Sequence, residues 1–139
     1  MLIEPIDTGL FTLPDDPRGF GLVAGRCAEC HDLHFPATPD CPYCGAESCL
    51  EEVVGREGHL HLGTVVTAPP PGYHGEVPYG FGLVDLPEGI RVISIIGETD
   101  PRRLRPGLPL KIDLRLVAAQ PHDEGPVATW QYVPQDHTP

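Results

Sequence analysis

Lysine and serine are nearly missing from this chain: Lys111 is the sole lysine, and Ser48 and Ser94 are the only serines. Leu110 precedes that lysine, so no GxxxxGK[ST] phosphate loop exists, and neither serine sits in a nucleophile elbow. HExxH and GxGxxG are absent too, which removes the zinc-protease and dinucleotide-binding readings. No apolar run approaches the roughly 18 to 20 residues that span a bilayer. The opening MLIEPIDTGLFTLPDD has early acids where a secretory leader needs a basic segment and then an apolar block, so a cytoplasmic location is expected. Basic charge is scarce as well. Nine Lys and Arg stand against twenty Asp and Glu, a net charge of −11. Sequence-independent nucleic-acid binding draws its energy from phosphate neutralisation, so this balance disfavours a polyanion partner.

The chain has 139 residues, enough for one modest core or for a very small unit beside a larger domain. Eighteen prolines and sixteen glycines cut it into short segments, which favours strands and turns over long helices. Four of the five cysteines fall in two CxxC pairs, Cys27 with Cys30 and Cys41 with Cys44. In a reducing compartment such pairs point to metal or redox chemistry before disulfides. Each CxxC can form a knuckle that directs two sulfurs to one point, and two knuckles complete a tetrahedral site. In CPYCG, Pro42 fixes one dihedral and Gly45 tolerates the positive φ that the turn requires. The gap between the pairs, HDLHFPATPD, fits a short hairpin. Zinc is the default ion for four thiolates, and iron in a rubredoxin-type site takes the same ligands. Four cysteines fill the shell and leave no open position for a catalytic water. A redox dithiol would not need the second pair. Cys49 reads as a small buried residue, and His31 and His34 read as surface groups.

From residue 59 onward the pattern is that of strands. GHLHLGTVVTAPPPG puts Leu60, Leu62, Thr64 and Val66 on one face at period two and ends in prolines that a central strand cannot hold. VPYGFGLVDL, RVISIIGE, LPLKIDLRLVAA and VATWQYVP supply four more strands. In the fourth of the five, Leu108, Leu110, Ile112, Leu114 and Leu116 are expected to face inward, with Lys111, Asp113 and Arg115 outward. Between the third and fourth, TDPRRLRPG fits a helical turn or loop capped by Thr99 or Asp100, with Pro101 first. Five strands with a short irregular element in that place give the order of a closed Greek-key barrel, the OB-fold. The expected fold class is therefore mostly β. An extended arm (1–20) leads into a rubredoxin-like zinc ribbon (21–55), a five-stranded OB barrel (56–134) and a short tail (135–139).

Two surface features invite a binding role. Arg102, Arg103 and Arg105 suit phosphate or carboxylate recognition, against the alternative of a solvated turn beside Asp100. The loop PPPGYHGEVPYG presents Tyr73, His74 and Tyr79, with Phe81 just beyond; a proline-stiffened aromatic loop loses little entropy on docking. His59 and His61 share a strand without a third ligand in sight.

Taken in order, the CxxC and CPxCG ribbon, GxLxLGTVVTAPP, PYGFGLVDLPEGIRVIS, LRPGLPLKIDL and the closing aromatic-Val-Pro segment resemble the acyl-CoA-associated zinc-ribbon plus OB-fold family, domain-of-unknown-function family 35. The resemblance spans roughly residues 20–134. It implies a non-catalytic partner, in a hetero-oligomer, of thiolase-superfamily enzymes: thiolases, synthases, acyltransferases or side-chain-cleaving aldolases. It further implies that Cys27, Cys30, Cys41 and Cys44 hold the metal and that the barrel helps bind or channel an acyl-CoA thioester. The N-terminus departs from the pattern, because many members carry a clear helix before the ribbon. Two other readings compete. A nucleic-acid-binding OB module would use Trp130 and Tyr132 to stack bases. A standalone acyl-CoA-binding protein or enzyme would need a polar catalytic residue, and none stands out.

Overall fold

The computed structural model describes residues 4–5, 9–72, 76–117 and 127–136. All its regular elements are strands: β1 (Glu4–Pro5), β2 (Leu22–Cys27), β3 (Leu33–His34), β4 (Cys49–Val54), β5 (Glu57–Val66), β6 (Tyr79–Asp85), β7 (Arg91–Ile96), β8 (Pro109–Val117) and β9 (Val127–Pro134). No helix among the described residues is long and apolar enough to cross a membrane. β3, β2 and β4 form a three-stranded antiparallel sheet, the ribbon. β5 to β9 form the expected five-stranded barrel in the order β9-β7-β6-β5-β8, closed by the long antiparallel β8–β9 pairing. Closure of this kind removes the open sheet edges that otherwise invite aggregation.

Inside the barrel lie Leu60, Val84, Val92, Ile96, Leu110, Ile112 and Tyr132, all buried. The same apolar cluster continues into the ribbon through Leu22, Ala24, Leu33 and Val54. The two units therefore share one core, which a ribbon too small to build its own requires. Phe11 belongs to that core, because residues 9–21 fold back on β2: Val23 N–H donates to the Leu10 carbonyl and Thr12 N–H to that of Gly21, both at 2.9 Å. The segment read as an extended arm thus closes a loop against the ribbon. The element before β8 is a turn, with Arg103 N–H donating to the Asp100 carbonyl and Asp100 Oδ1 accepting from Arg102 N–H at 3.0 Å.

Two expectations about facing require correction. β5 carries a bulge between Leu60 and Leu62, so His61 is the extra residue and the period of two breaks there. Leu60 is inside at 1 % exposure while Leu62 is turned out at 61 %. In β8 the inward row holds for Leu110 and Ile112, but Leu116 lies beyond the packed interior and is exposed.

Candidate metal centre

Cys27 ends β2, and the chain then turns so that His31 N–H donates to the Cys27 carbonyl at 3.0 Å. The second knuckle repeats the construction, with Gly45 N–H donating to the Cys41 carbonyl at 3.0 Å. In both, the residue after the second cysteine is left-handed, Gly45 at φ 78° and His31 at φ 66°. Glycine adopts this geometry freely, whereas His31 does so as a side-chain-bearing residue. The paired turns bring Sγ of Cys27 to 3.6 Å from that of Cys44, and Sγ of Cys30 to 3.6 Å from that of Cys41. All four sulfurs lie within 4.8 Å of one another, and no other metal-holding cluster occurs among the described residues.

These distances fit a metal. Four thiolates about 2.3 Å from a central zinc stand about 3.8 Å apart, whereas a disulfide needs sulfurs about 2.05 Å apart. The backbone is polarised to match. N–H groups of Cys30 and Glu29 point at Cys27 Sγ, each at 3.4 Å, and lower its thiol to about 6. The Cys44 and Tyr43 amides likewise hold the Cys41 thiol below its ordinary value. Amide donors that favour thiolate are what a cation-binding cysteine set requires. Cys27 and Cys41 are buried and Cys44 is exposed, so one edge of the centre faces solvent. Cys49 lies opposite Cys27 on β4, half-buried, and burial pushes its thiol up to about 11, away from nucleophile chemistry.

His34 belongs to the support of this centre, and reading it as a surface group was wrong: it is 5 % exposed. Its Nε2 accepts from Thr38 N–H at 3.0 Å, which fixes the loop leading to Cys41. A Cβ on Gly25 would come within 2.5 Å of Nε2, so the imidazole can lie on β2 only because that position is glycine. A glycine in the middle of the strand LVAGRC was the available signal. Next to it, Phe35 meets Trp130 of β9 edge-on with ring centroids 6.0 Å apart, and Phe11 meets the same indole at 5.7 Å. The loop between the knuckles is thereby tied to the barrel.

The other expected site residues are scattered. Arg102 pairs with Asp100 at 3.1 Å, and Arg103 bridges Glu98 at 2.7 Å and Asp136 at 2.9 Å. Arg105 donates to the Arg102 carbonyl at 3.1 Å and has no carboxylate partner among the described residues. Tyr79 is half-buried and Phe81 exposed, both on β6, while Tyr73 and His74 lie outside the described residues. His61 Nδ1 is 3.1 Å from Asp85, which also accepts from Arg91 at 2.6 Å, and His59 is exposed nearby on the same strand. Tyr132 is fully buried and so offers no face to a base, while Trp130 is partly buried with Phe11 and Phe35 packed against it.

A four-cysteine ribbon positioned to hold a metal and sharing its core with an OB barrel defines the class: a two-part β protein without a visible catalytic constellation among the described residues. Residues 20–48 match the family described as ChsH2, rubredoxin-like zinc ribbon domain, and residues 51–115 match ChsH2, C-terminal OB-fold domain. A DUF35 domain-containing scaffold protein of Methanothermobacter thermautotrophicus is 30 % identical over 108 residues, covering 77 % of this chain and 81 % of the relative. The benzoylsuccinyl-CoA thiolase subunit BbsA of Thauera aromatica is 33 % identical over 85 residues, covering 61 % and 58 %. Among solved structures, a chain of the Ltp2-ChsH2(DUF35) aldolase superposes with a TM-score of 0.63 at 30 % identity, covering 82 % of this chain and 84 % of that one. The chain belongs to the DUF35 family of ChsH2-type zinc-ribbon and OB-fold proteins.

Proposed function

We propose that this protein is a non-catalytic accessory subunit that docks on a thiolase-superfamily enzyme and helps hold or pass an acyl-CoA thioester. The observation that carries the reading is the likeness, over four-fifths of both chains, to the DUF35 component of a two-part aldolase. A thiolase subunit among the relatives supports it. In this reading Cys27, Cys30, Cys41 and Cys44 hold zinc, with iron as the alternative for the same ligands. The ion supplies cross-linking: it fixes two knuckles that a segment of this size could not fold alone, a contribution on the order of 10 kcal/mol in small zinc peptides. The chain's own part is to carry that head on the barrel through Leu22, Leu33 and the Phe11–Trp130–Phe35 contacts. Reacting groups come from the partner.

For CoA, Arg105 is the cation of the cluster with no acid beside it among the described residues, whereas a phosphate at Arg102 or Arg103 would have to compete with Asp100, Glu98 or Asp136. The nucleic-acid reading is opposed by the charge of −11 and by the burial of Tyr132. The test is capture of the tagged full chain from its native lysate at moderate salt, with protein and nucleotide identified by mass spectrometry. Recovery of a thiolase-fold chain in fixed proportion is expected. Recovery of nucleic acid, or turnover of an acyl-CoA by the purified chain alone, would refute the accessory role.

A further inference from the structure

The bulge at His61 has a second effect: it delivers Leu62 to the outside of the barrel. There Leu62 stands opposite Leu83, and Leu83 stands opposite Ile93, while the next row is Thr64, Phe81 and Ile95. Residues directly opposite in antiparallel pairs share a face, so these two rows form one continuous lattice across β5, β6 and β7, apolar at every position but Thr64. Leu62 is 61 % exposed, Ile93 60 % and Phe81 39 %, whereas the alternate residues of the same strands, Val84, Val92 and Ile96, fill the interior. Both faces of this part of the sheet are thus apolar, although an antiparallel sheet with one solvated face ordinarily places polar residues there. Without the bulge, Leu62 would point inward and the lattice would lose its corner.

We propose that this outer face is the docking surface for a protein partner whose contact region is apolar at its centre and basic at its rim; the proposal rests on the accessory-subunit reading and assigns it a surface. The lattice spans on the order of a few hundred Å², the size of the desolvated centre of a protein–protein contact. Small ligands need concave sites that enclose most of their surface, and an open sheet face does not provide one. A second copy is disfavoured by charge, because it would bring together two chains of −11 each. The same charge favours a partner with Lys and Arg around its apolar centre. At the β5 start the lattice borders the Asp85 carboxylate, with Arg91 and His61 on it, which gives the contact a polar margin.

The test compares the wild-type chain with the double variant Leu62→Ser/Ile93→Ser and the control Leu50→Ser, whose exposed leucine lies on the ribbon strand β4. Each tagged chain is used to capture the thiolase-fold chain from native lysate, and sedimentation reports self-association. All three substituted side chains are solvent-exposed, so an unchanged thermal midpoint and metal content are required of each. Recovery of the thiolase-fold chain is expected to fall by at least about tenfold in the double variant and to persist in Leu50→Ser. Equal recovery by the double variant overturns the surface assignment and leaves the accessory role standing. Failure of the wild type to recover any thiolase-fold chain overturns both. A wild-type dimer that Leu62→Ser/Ile93→Ser dissociates would identify the occupant as a second copy and refute the basic-rimmed partner.

Discussion

Replacing Tyr132 by Phe tests whether the ribbon and barrel are one cooperative unit. Tyr132 has no exposed surface, and its hydroxyl donates to the Gly55 carbonyl at 2.6 Å. Gly55 lies between the last ribbon strand and the first barrel strand and holds φ 75°. The bond therefore ties the hinge of the two units to the strand that closes the barrel. Tyr132→Phe keeps the ring and its packing and leaves the Gly55 carbonyl buried without this partner, a loss of about 1–3 kcal/mol. For a chain of this length the thermal midpoint falls by about 4 °C for each kcal/mol. Burial first, and the Glu88 carboxylate second, raise the Tyr132 phenol well above its ordinary value. A raised acid contributes stability that is complete below its unfolded value of about 10 and is lost as pH rises from there through the folded value. The wild type should accordingly lose its advantage over the variant above about pH 10. Thermal unfolding of the metal-loaded protein, followed by Trp130 fluorescence from pH 7 to 11, measures both effects. An unchanged midpoint at pH 7, or a gap between the two proteins that is constant with pH, would refute the reasoning.

Cys41→Ser should lower metal content below one ion per chain and loosen the ribbon, read by elemental analysis and near-UV circular dichroism; full occupancy would remove Cys41 from the ligand set. Chelation of the wild type should shift the emission of Trp130 to longer wavelength, because Phe35 is held against the indole by the loop between the knuckles. An emission spectrum indifferent to the metal would mean that the loop keeps its place without it. Gly82→Ala would push a Cβ into the backbone carbonyl of Leu62 and against Gly63 Cα, atoms that cannot yield as a side-chain tip can. The expected cost is about 1–3 kcal/mol of stability, and a thermal midpoint within a degree of wild type would show that the bulge relaxes freely.

The two CxxC pairs announced the ribbon because ligand chemistry is local: each knuckle is five residues long and its turn is written in them. β8 was equally legible, since its apolar positions follow one period from Leu108 to Leu114, and only the strand end ran past the core. β5 shows where such reading fails. HLHL alternates cleanly in composition, yet one residue is extruded at His61, and nothing in the alternation marks which one. The consequence is a leucine moved from core to surface. The ion pairing of the arginine turn was hidden for a different reason: one partner of Arg103, Asp136, is 33 residues away and reaches it only once β9 closes the barrel.

His34 and Trp130 carry this distance dependence furthest. Each has a bland local context, and each owes its role to residues outside it: Gly25 on the neighbouring strand makes room for the imidazole, and Phe11 and Phe35, remote in sequence, pack against the indole. A metal-fixed loop that ends on a barrel aromatic gives the ion influence beyond its four sulfurs. The knuckles set Phe35, Phe35 sets the β9 face on which Trp130 stands, and Tyr132 two residues on locks the hinge at Gly55. Loss of the ion should thus be felt at the barrel closure before it is felt at the distant β5–β6–β7 face, whose strands are held by backbone pairing and by Leu60, Val84, Val92 and Ile96 inside the barrel. That order of failure separates a scaffold whose docking surface survives metal loss from one in which the metal is itself the dock.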